Sequence, residues 1–382
     1  MKNRIKWSII FTLLLSQLII FIRPCLAGIN EKRLTERLIK AFSERENYFR
    51  YTTETGIDDI EKDRILEAIN RARNSSSDYI QYTLRDINLK VKGNRDASVI
   101  IFNIEHLSSK REDKYVYNRV DEIIANINQR ALNIHQLEKA INDYVVRELK
   151  YDESLKHVSP YQALIKGQTT CRGYTLLTYQ LLKRAGIESK IIRGRLKESD
   201  EGHAWNLVKI EGNWYHLDVT QNDVADNTPD RTMQYRWYNL TDKEMEATHS
   251  WKKSDYPAAS QEYLQTLLDM KRYNPYNSAV YQKLIKNLNL HYLQDEYTVM
   301  SSTRLKNILQ KSLKNRDREI SFRINRDIAN VGQLRRILIK LYKENPKLAQ
   351  LAPLKSFNIN SFPYDRDKYS NTIIARVKFK YN

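Results

Sequence analysis

Cys171, His203 and Asp218 follow one another along the chain, each in a setting that suits a reactive thiol. Cys171 comes after Gly167-Gln168-Thr169-Thr170 and before Arg172-Gly173-Tyr174. An apolar run of Leu176, Leu177, Leu181, Leu182 and Ala185 then ends at Gly186. This spacing predicts a helix capped by Thr169 or Thr170 and stopped by Gly186, with the cysteine in its first turn. Unsatisfied amides and the helix dipole favour a thiolate there. His203 lies in Gly202-His203-Ala204-Trp205-Asn206, and Asp218 in Trp214-Tyr215-His216-Leu217-Asp218-Val219-Thr220. Both segments alternate as strands, joined by a tight turn at Glu211-Gly212-Asn213. Period two sets His203 and Trp205 on one face, and Trp214, His216 and Asp218 on one face of the next strand. His203 and Asp218 then fall opposite each other or one diagonal step apart. A nucleophilic thiol requires that pairing, with His203 as the base that takes the proton and Asp218 as the acid that fixes its tautomer.

Blander readings stand beside this one. A cysteine is often a small buried hydrophobe. His203, His216 and Asp218 share enough of a face to suggest a metal site, but no histidine pair at helical ligand spacing supports it. Trp205, beside His203, is a candidate for the cleft wall, and like Trp214 it also suits sheet packing. Gln168 is a candidate oxyanion donor, with a surface loop residue as the plainer reading. The Cys171 backbone N–H, at a helix start, is a second candidate donor. His249 reads as structural.

The elements that must position these residues come from the rest of the pattern. Helical periodicity runs over 31–50, over 57–73 with Asp58-Asp59 as its cap, and over 115–128 and 134–149. Residues 79–91 and 97–104 read as strands around a turn at Lys92-Gly93-Asn94, and 190–194 as another strand. Beyond Pro257, helices are expected over 261–270, 279–290, 301–314 and 331–344, with strands over 319–324 and 372–381. The fold class is α+β. The expected modules are 28–130, 131–257 holding the Cys, His and Asp, and 258–382.

The whole chain has 382 residues, 41% hydrophobic and 29% charged, with a mean hydropathy of -0.65. That balance excludes wholesale disorder and a polytopic membrane protein. Lys2, Arg4 and Lys6 precede an apolar run from Trp7 to Ile22 and then Cys25-Leu26-Ala27, the pattern of a secretory signal cut after Ala27. An uncleaved membrane anchor is the alternative, although the run is short for a span. Four of the 64 basic residues and none of the 46 acidic ones fall in 1–27, so the remainder still carries +14. A basic exported protein is expected to meet anionic wall polymer or lipid headgroups. No nucleic-acid-binding module is recognisable, so charge alone carries no such partner. Cleavage leaves Cys171 as the only thiol, which excludes an internal disulfide.

Several ordered motifs now coincide. These are Ala163, Gly167 and Cys171-Arg172-Gly173-Tyr174; Ala185-Gly186-Ile187; Gly202-His203-Ala204-Trp205-Asn206; and Trp214 through Thr220. Upstream stand Ala140 to Tyr144 and Tyr151-Asp152. Downstream come Trp237-Tyr238-Asn239-Leu240-Thr241-Asp242, Met245 and Thr248-His249. Over roughly 135–250 the chain resembles the bacterial transglutaminase-like superfamily. The resemblance implies a papain-like core with Cys171 as nucleophile, His203 as general base and Asp218 as orienting acid. It implies acyl transfer through a thioester on peptide or isopeptide amides, with no metal or cofactor. Water as acceptor gives a peptidase or amidase, and an amine gives a cross-link. Many bacterial members carry Trp where this chain has Gln221, which makes Gln221 a candidate for shaping the cleft. A non-catalytic surface binding or scaffold protein on the same fold is the rival expectation.

Overall fold

The computed structural model describes residues 7–9, 28–128, 133–223, 235–364 and 371–382. The expected signal segment lies outside the described residues except for Trp7–Ile9, a short strand parallel to Leu84–Gly93. Among the described residues no helix is long and apolar enough to cross a membrane. The chain divides into two compact units, Met1–Leu132 with Leu137–Ile191, and Asn133–Gln136 with Ile192–Asn382. The division runs through the 131–257 stretch expected as one module.

In the first unit a four-stranded sheet has the order Trp7–Ile9, Leu84–Gly93, Ser98–His106, Tyr48–Thr53. Helices Glu31–Ser43 and Lys62–Asn74 bury Leu34, Leu38, Phe42, Ile65 and Ile69 in one core with Ile87, Leu89, Ile100 and Phe102. Asn30 caps the first helix, accepting from the Arg33 amide at 3.0 Å. The segment expected as one helix over 57–73 splits. Ile57–Asp59 forms a single 3₁₀ turn, and the α-helix starts at Lys62. The strand expected from residue 79 begins only at Leu84, because Asp78–Thr83 is a helix. Ser77 caps that helix through the Ile80 amide. The buried Tyr79 gives its hydroxyl to Asp113, which also accepts from Arg45. A cap and a buried polar anchor override the alternating pattern of Tyr79 to Leu84. The unit also holds helices Lys110–Asn128, Pro160–Lys166 and Cys171–Arg184.

The second unit carries most of a five-stranded sheet in the order Tyr238–Leu240, Asn213–Leu217, Gly202–Ile210, Ser189–Leu196, His249–Trp251. The central hairpin is in register from Asn206↔Leu217 to Ile210↔Asn213. Glu211 and Gly212, both at positive φ, form its two-residue turn as expected. Farther along, a sheet ordered Thr298–Val299, Glu319–Asn325, Thr372–Tyr381, Leu354–Pro363 packs with helices Ser302–Asn315 and Val331–Lys343 around Leu309, Leu338, Phe322 and Val377. Helix Pro346–Leu351 and strand Leu354–Pro363 were not expected. The strand carries Asn358, Asn360 and a terminal proline, which dilute its β signal.

Candidate active site

Cys171 is the first residue of helix Cys171–Arg184, a free, half-buried thiol. Its expected side-chain cap is absent. Thr170 occupies the cap position without a cap hydrogen bond, and the Thr169 hydroxyl donates instead to the His157 carbonyl at 2.7 Å. The approach to the cysteine is held by backbone. Gln168–Thr169 pairs parallel to Lys150–Tyr151, and the Thr170 amide donates to the His157 carbonyl at 2.9 Å. The loop carrying that carbonyl is organised by Asp152. Its carboxylate accepts from the Ser154 hydroxyl at 2.6 Å, from the Lys156 and His157 amides at 3.0 and 2.8 Å, and from His157 Nδ1 at 2.9 Å. Led by the Ser154 hydroxyl, these donors hold Asp152 well below the usual carboxylate range. Gly173 lets the helix start sit against Thr169, since a Cβ there would overlap the Thr169 hydroxyl oxygen and lie 2.8 Å from its Cβ. Gln168, half-buried, sets Nε2 3.4 Å from His157 Nδ1.

The other half of the expected chemistry lies in the second unit. His203, on the central strand Gly202–Ile210, places Nε2 2.7 Å from Asp218 Oδ2. Asp218 is not on the strand, which ends at Leu217. It caps the short helix Val219–Asn222 and accepts from the Gln221 amide at 3.1 Å through Oδ1. The backbone therefore turns at the residue whose carboxylate must face back to His203. Asp218 is fully buried. Burial alone would raise its carboxyl, but the charge and hydrogen bond of His203, joined by the hydrogen bond of His249, outweigh it. The group is held well below the usual carboxylate range.

His249, read from sequence as structural, is a second imidazole on the same oxygen. Its Nε2 is 3.1 Å from Asp218 Oδ2, and its Nδ1 is 2.7 Å from Thr248 Oγ1. The nitrogens of His203 and His249 and an Asp218 oxygen lie within 4.8 Å of one another, a spacing that could hold a metal ion. The hydrogen bonds to Oδ2 account for that convergence without one. His216, the residue weighed in the sequence for a metal, is not in this group. It accepts the Trp205 indole N–H at 2.9 Å on Nδ1, and its Nε2 is 2.8 Å from Asp242 Oδ1. Trp205 is corrected in the same way. It is 1% exposed in a core with Ile192, Leu207 and Met245, and its N–H is committed to His216. It supports His203 from the side, ring centroids 5.9 Å apart, and offers no donor to an oxyanion. Gly194 makes room for it, because a Cβ there would stand 2.6 Å from the Trp205 ring and overlap the Ser250 carbonyl oxygen.

The structure thus brings His203 and Asp218 together and adds His249. Cys171, Gln168 and their supports are organised within the first unit. No sequence spacing pointed to His249. It sits on the edge strand His249–Trp251, in register with Leu196, 31 residues beyond Asp218. The Thr248-His249 pair at the end of the downstream motif was its only trace.

Residues 119–219 match the family model of the transglutaminase-like superfamily, a stretch that includes Cys171, His203 and Asp218. The chain therefore carries a transglutaminase-like core within an α+β fold. It is 26% identical over 117 residues to the Homo sapiens protein named kyphoscoliosis peptidase, covering 26% of this chain and 18% of that one. The Mus musculus protein of the same name is 25% identical over 132 residues, covering 30% of this chain and 20% of the relative. A solved structure described as a TGase overlaps with a TM-score of 0.24 and 14% identity, covering 47% of this chain and 52% of that one.

Proposed function

We propose that this protein is an exported, cysteine-dependent acyl-transfer enzyme acting on peptide or isopeptide amides. In this reading Cys171 loses its proton to His203, and Sγ attacks the amide carbonyl carbon. The C–N bond breaks as the imidazolium returns that proton to the leaving amine, and a thioester remains. Water, deprotonated by His203, then attacks the thioester and releases the acid and the thiol. Asp218 keeps the histidine in the productive tautomer throughout. The backbone N–H at Cys171 is the natural oxyanion donor, since first-turn amides have no partner in the helix ladder. Water is the default acceptor, and transfer to an amine requires a cleft that excludes it, so hydrolysis is favoured. The net positive charge supports an anionic partner at the cell surface.

The observation that carries this reading is the fully buried Asp218 paired with His203 at 2.7 Å. A buried carboxylate is costly, and here it is directed at an imidazole inside the family match. The test is the rate of iodoacetamide modification at Cys171 against pH, followed by mass spectrometry of its peptide. A plateau that persists below about pH 7 and disappears in His203→Ala is expected of a thiolate–imidazolium pair. A rate that rises only above about pH 8 in both proteins would overturn the reading and favour a non-catalytic platform.

A further inference from the structure

Two imidazoles on one carboxylate oxygen pose a question that the Cys171–His203–Asp218 reading leaves open, because that chemistry uses one. The hydrogen bonds around His249 have a fixed direction. Trp237 Nε1 can only donate, and it lies 3.3 Å from Thr248 Oγ1. Thr248 Oγ1 is in turn 2.7 Å from His249 Nδ1. At the far side an ionised carboxylate can only accept, so the His249 nitrogen 3.1 Å from Asp218 Oδ2 carries a hydrogen. A neutral His249 then has a bare Nδ1, which takes the Thr248 hydroxyl hydrogen. The chain of donors runs Trp237 to Thr248 to His249 to Asp218, and each member of the last pair has one assignment.

The surroundings disfavour a positive charge on that ring. His249 is fully buried, with Trp205 edge-on at 4.8 Å and the His203 ring 5.5 Å away between centroids. Burial depresses its proton affinity, Asp218 opposes this, and His203 and Arg236 add repulsion against a second positive charge. Among the described residues, the charged and titratable groups that bear on it are Asp218, His203, Arg236 and His216. Only His203 is then left to carry the positive charge of the pair.

We propose that His249 is a positioning residue: an Nε2-protonated imidazole, held in that tautomer by the Asp218 carboxylate and matched at Nδ1 by the Thr248 hydroxyl, which holds the Asp218 carboxylate toward His203 and moderates its basicity. The inference rests on the reading that Asp218 orients His203 for thiol chemistry. Asp218 keeps three donors, the Gln221 amide on Oδ1 and the two imidazoles on Oδ2. Without the His249 donor, the buried carboxylate would lean more heavily on the His203 proton. His203 would then hold that proton to higher pH.

The experiment is imidazole ¹⁵N NMR of the full chain between pH 5 and 9, on wild type, His249→Phe, His249→Gln and Thr248→Val. In wild type His249 is expected as the Nε2–H tautomer, without titrating between pH 5 and 8. In His249→Phe the pH at which His203 loses its charge is expected to rise by about one unit, a tenfold change in proton affinity. His249→Gln, whose amide N–H can reach Oδ2, is expected to return it most of the way. A merely structural ring would not produce that rescue. Should His249→Phe fail to fold, Thr248→Val carries the same test, because it removes the hydroxyl hydrogen on Nδ1 that makes Nε2–H a stronger donor to Asp218. A wild-type His249 protonated at Nδ1 or charged within this range would overturn the proposal. So would a folded His249→Phe or Thr248→Val with His203 unmoved. None of these readouts depends on turnover. If Cys171 shows no low-pH alkylation plateau while the His249 effects appear, the thiol reading fails and the positioning of Asp218 stands.

Discussion

Three N–H donors converge on the Asp218 carboxylate: the Gln221 amide, His203 and His249. Replacing it with Asn keeps the shape and an oxygen for the Gln221 amide. It also turns one acceptor into an N–H that faces two N–H groups. Relief comes only by flipping an imidazole tautomer, so Asp218→Asn is expected to lower turnover of any amide substrate by about 10⁴-fold. The same change is expected to cost about 1–3 kcal/mol of stability, since a buried donor loses its acceptor. Turnover assays together with urea unfolding check both, and an active Asp218→Asn would remove Asp218 from the chemistry. Much of this constellation was legible in the sequence for a local reason. His203 lies on a hairpin and Asp218 is the first residue past its second strand, where period two and a short turn almost determine which side chains meet. Cys171 was legible because a helix start has its own composition. His249 was hidden because its place depends on the register of an edge strand against Leu196, a long-range pairing with no local signature.

At the scale of elements, two glycines set how closely the site's supports approach. The Cβ missing from Gly173 would overlap Thr169, the residue that ties the start of the cysteine helix to His157. The Cβ missing from Gly194 would meet the Ser250 carbonyl and the Trp205 ring. Both alanine variants are therefore expected to be overpacked and to lose about 1–3 kcal/mol. Gly194→Ala should lose more, because a backbone carbonyl in a paired strand can yield less than a threonine side chain. Gly202→Ala is the matched control. It adjoins His203, but nothing lies within 4 Å of its added Cβ, so a change within about 0.5 kcal/mol is expected. Thermal melts of the three proteins decide the matter, and an unperturbed Gly194→Ala would refute the close approach. Sequence patterns located most elements near these sites within a few residues. They failed at Asp78–Thr83, where alternation mimicked a strand while Ser77 and the buried hydroxyl of Tyr79 favoured a helix. Periodicity records which side chains face the core and carries no information about a polar anchor contributed by a distant helix.

For the whole molecule the governing feature is a set of histidines held neutral by burial. His106, His135, His216, His249 and His291 all have proton affinities depressed chiefly by desolvation. His135 is the extreme case, fully buried and lowered to about 4. Its Nδ1 is 2.9 Å from the Tyr263 hydroxyl. The Glu211 carboxylate stands 3.6 Å from Nε2, beyond hydrogen-bond length and on a partly exposed side chain, so it does not offset the burial. Below about pH 6.5 the unfolded chain takes up these protons while the folded chain does not, so stability falls as pH falls toward the folded-state values. Each such group steepens the fall by at most about 1.4 kcal/mol per pH unit. Asp218 acts in the same direction at lower pH. Its carboxylate is favoured in the folded state, and that contribution is present above about pH 4 and lost as acid protonates it. Urea unfolding at a series of pH values is expected to show stability declining steadily from pH 7 to 4.5. His135→Phe should flatten that slope by about one proton's worth, whatever its effect on absolute stability. The net charge of +18 offers a competing cause, since self-repulsion also grows on acidification. Salt separates the two, because screening weakens repulsion between exposed charges and leaves the cost of charging a buried imidazole nearly untouched. A decline that persists in about 0.5 M NaCl and flattens in His135→Phe belongs to the buried histidines. A decline that salt removes and the variant leaves unchanged would assign acid sensitivity to the basic surface instead.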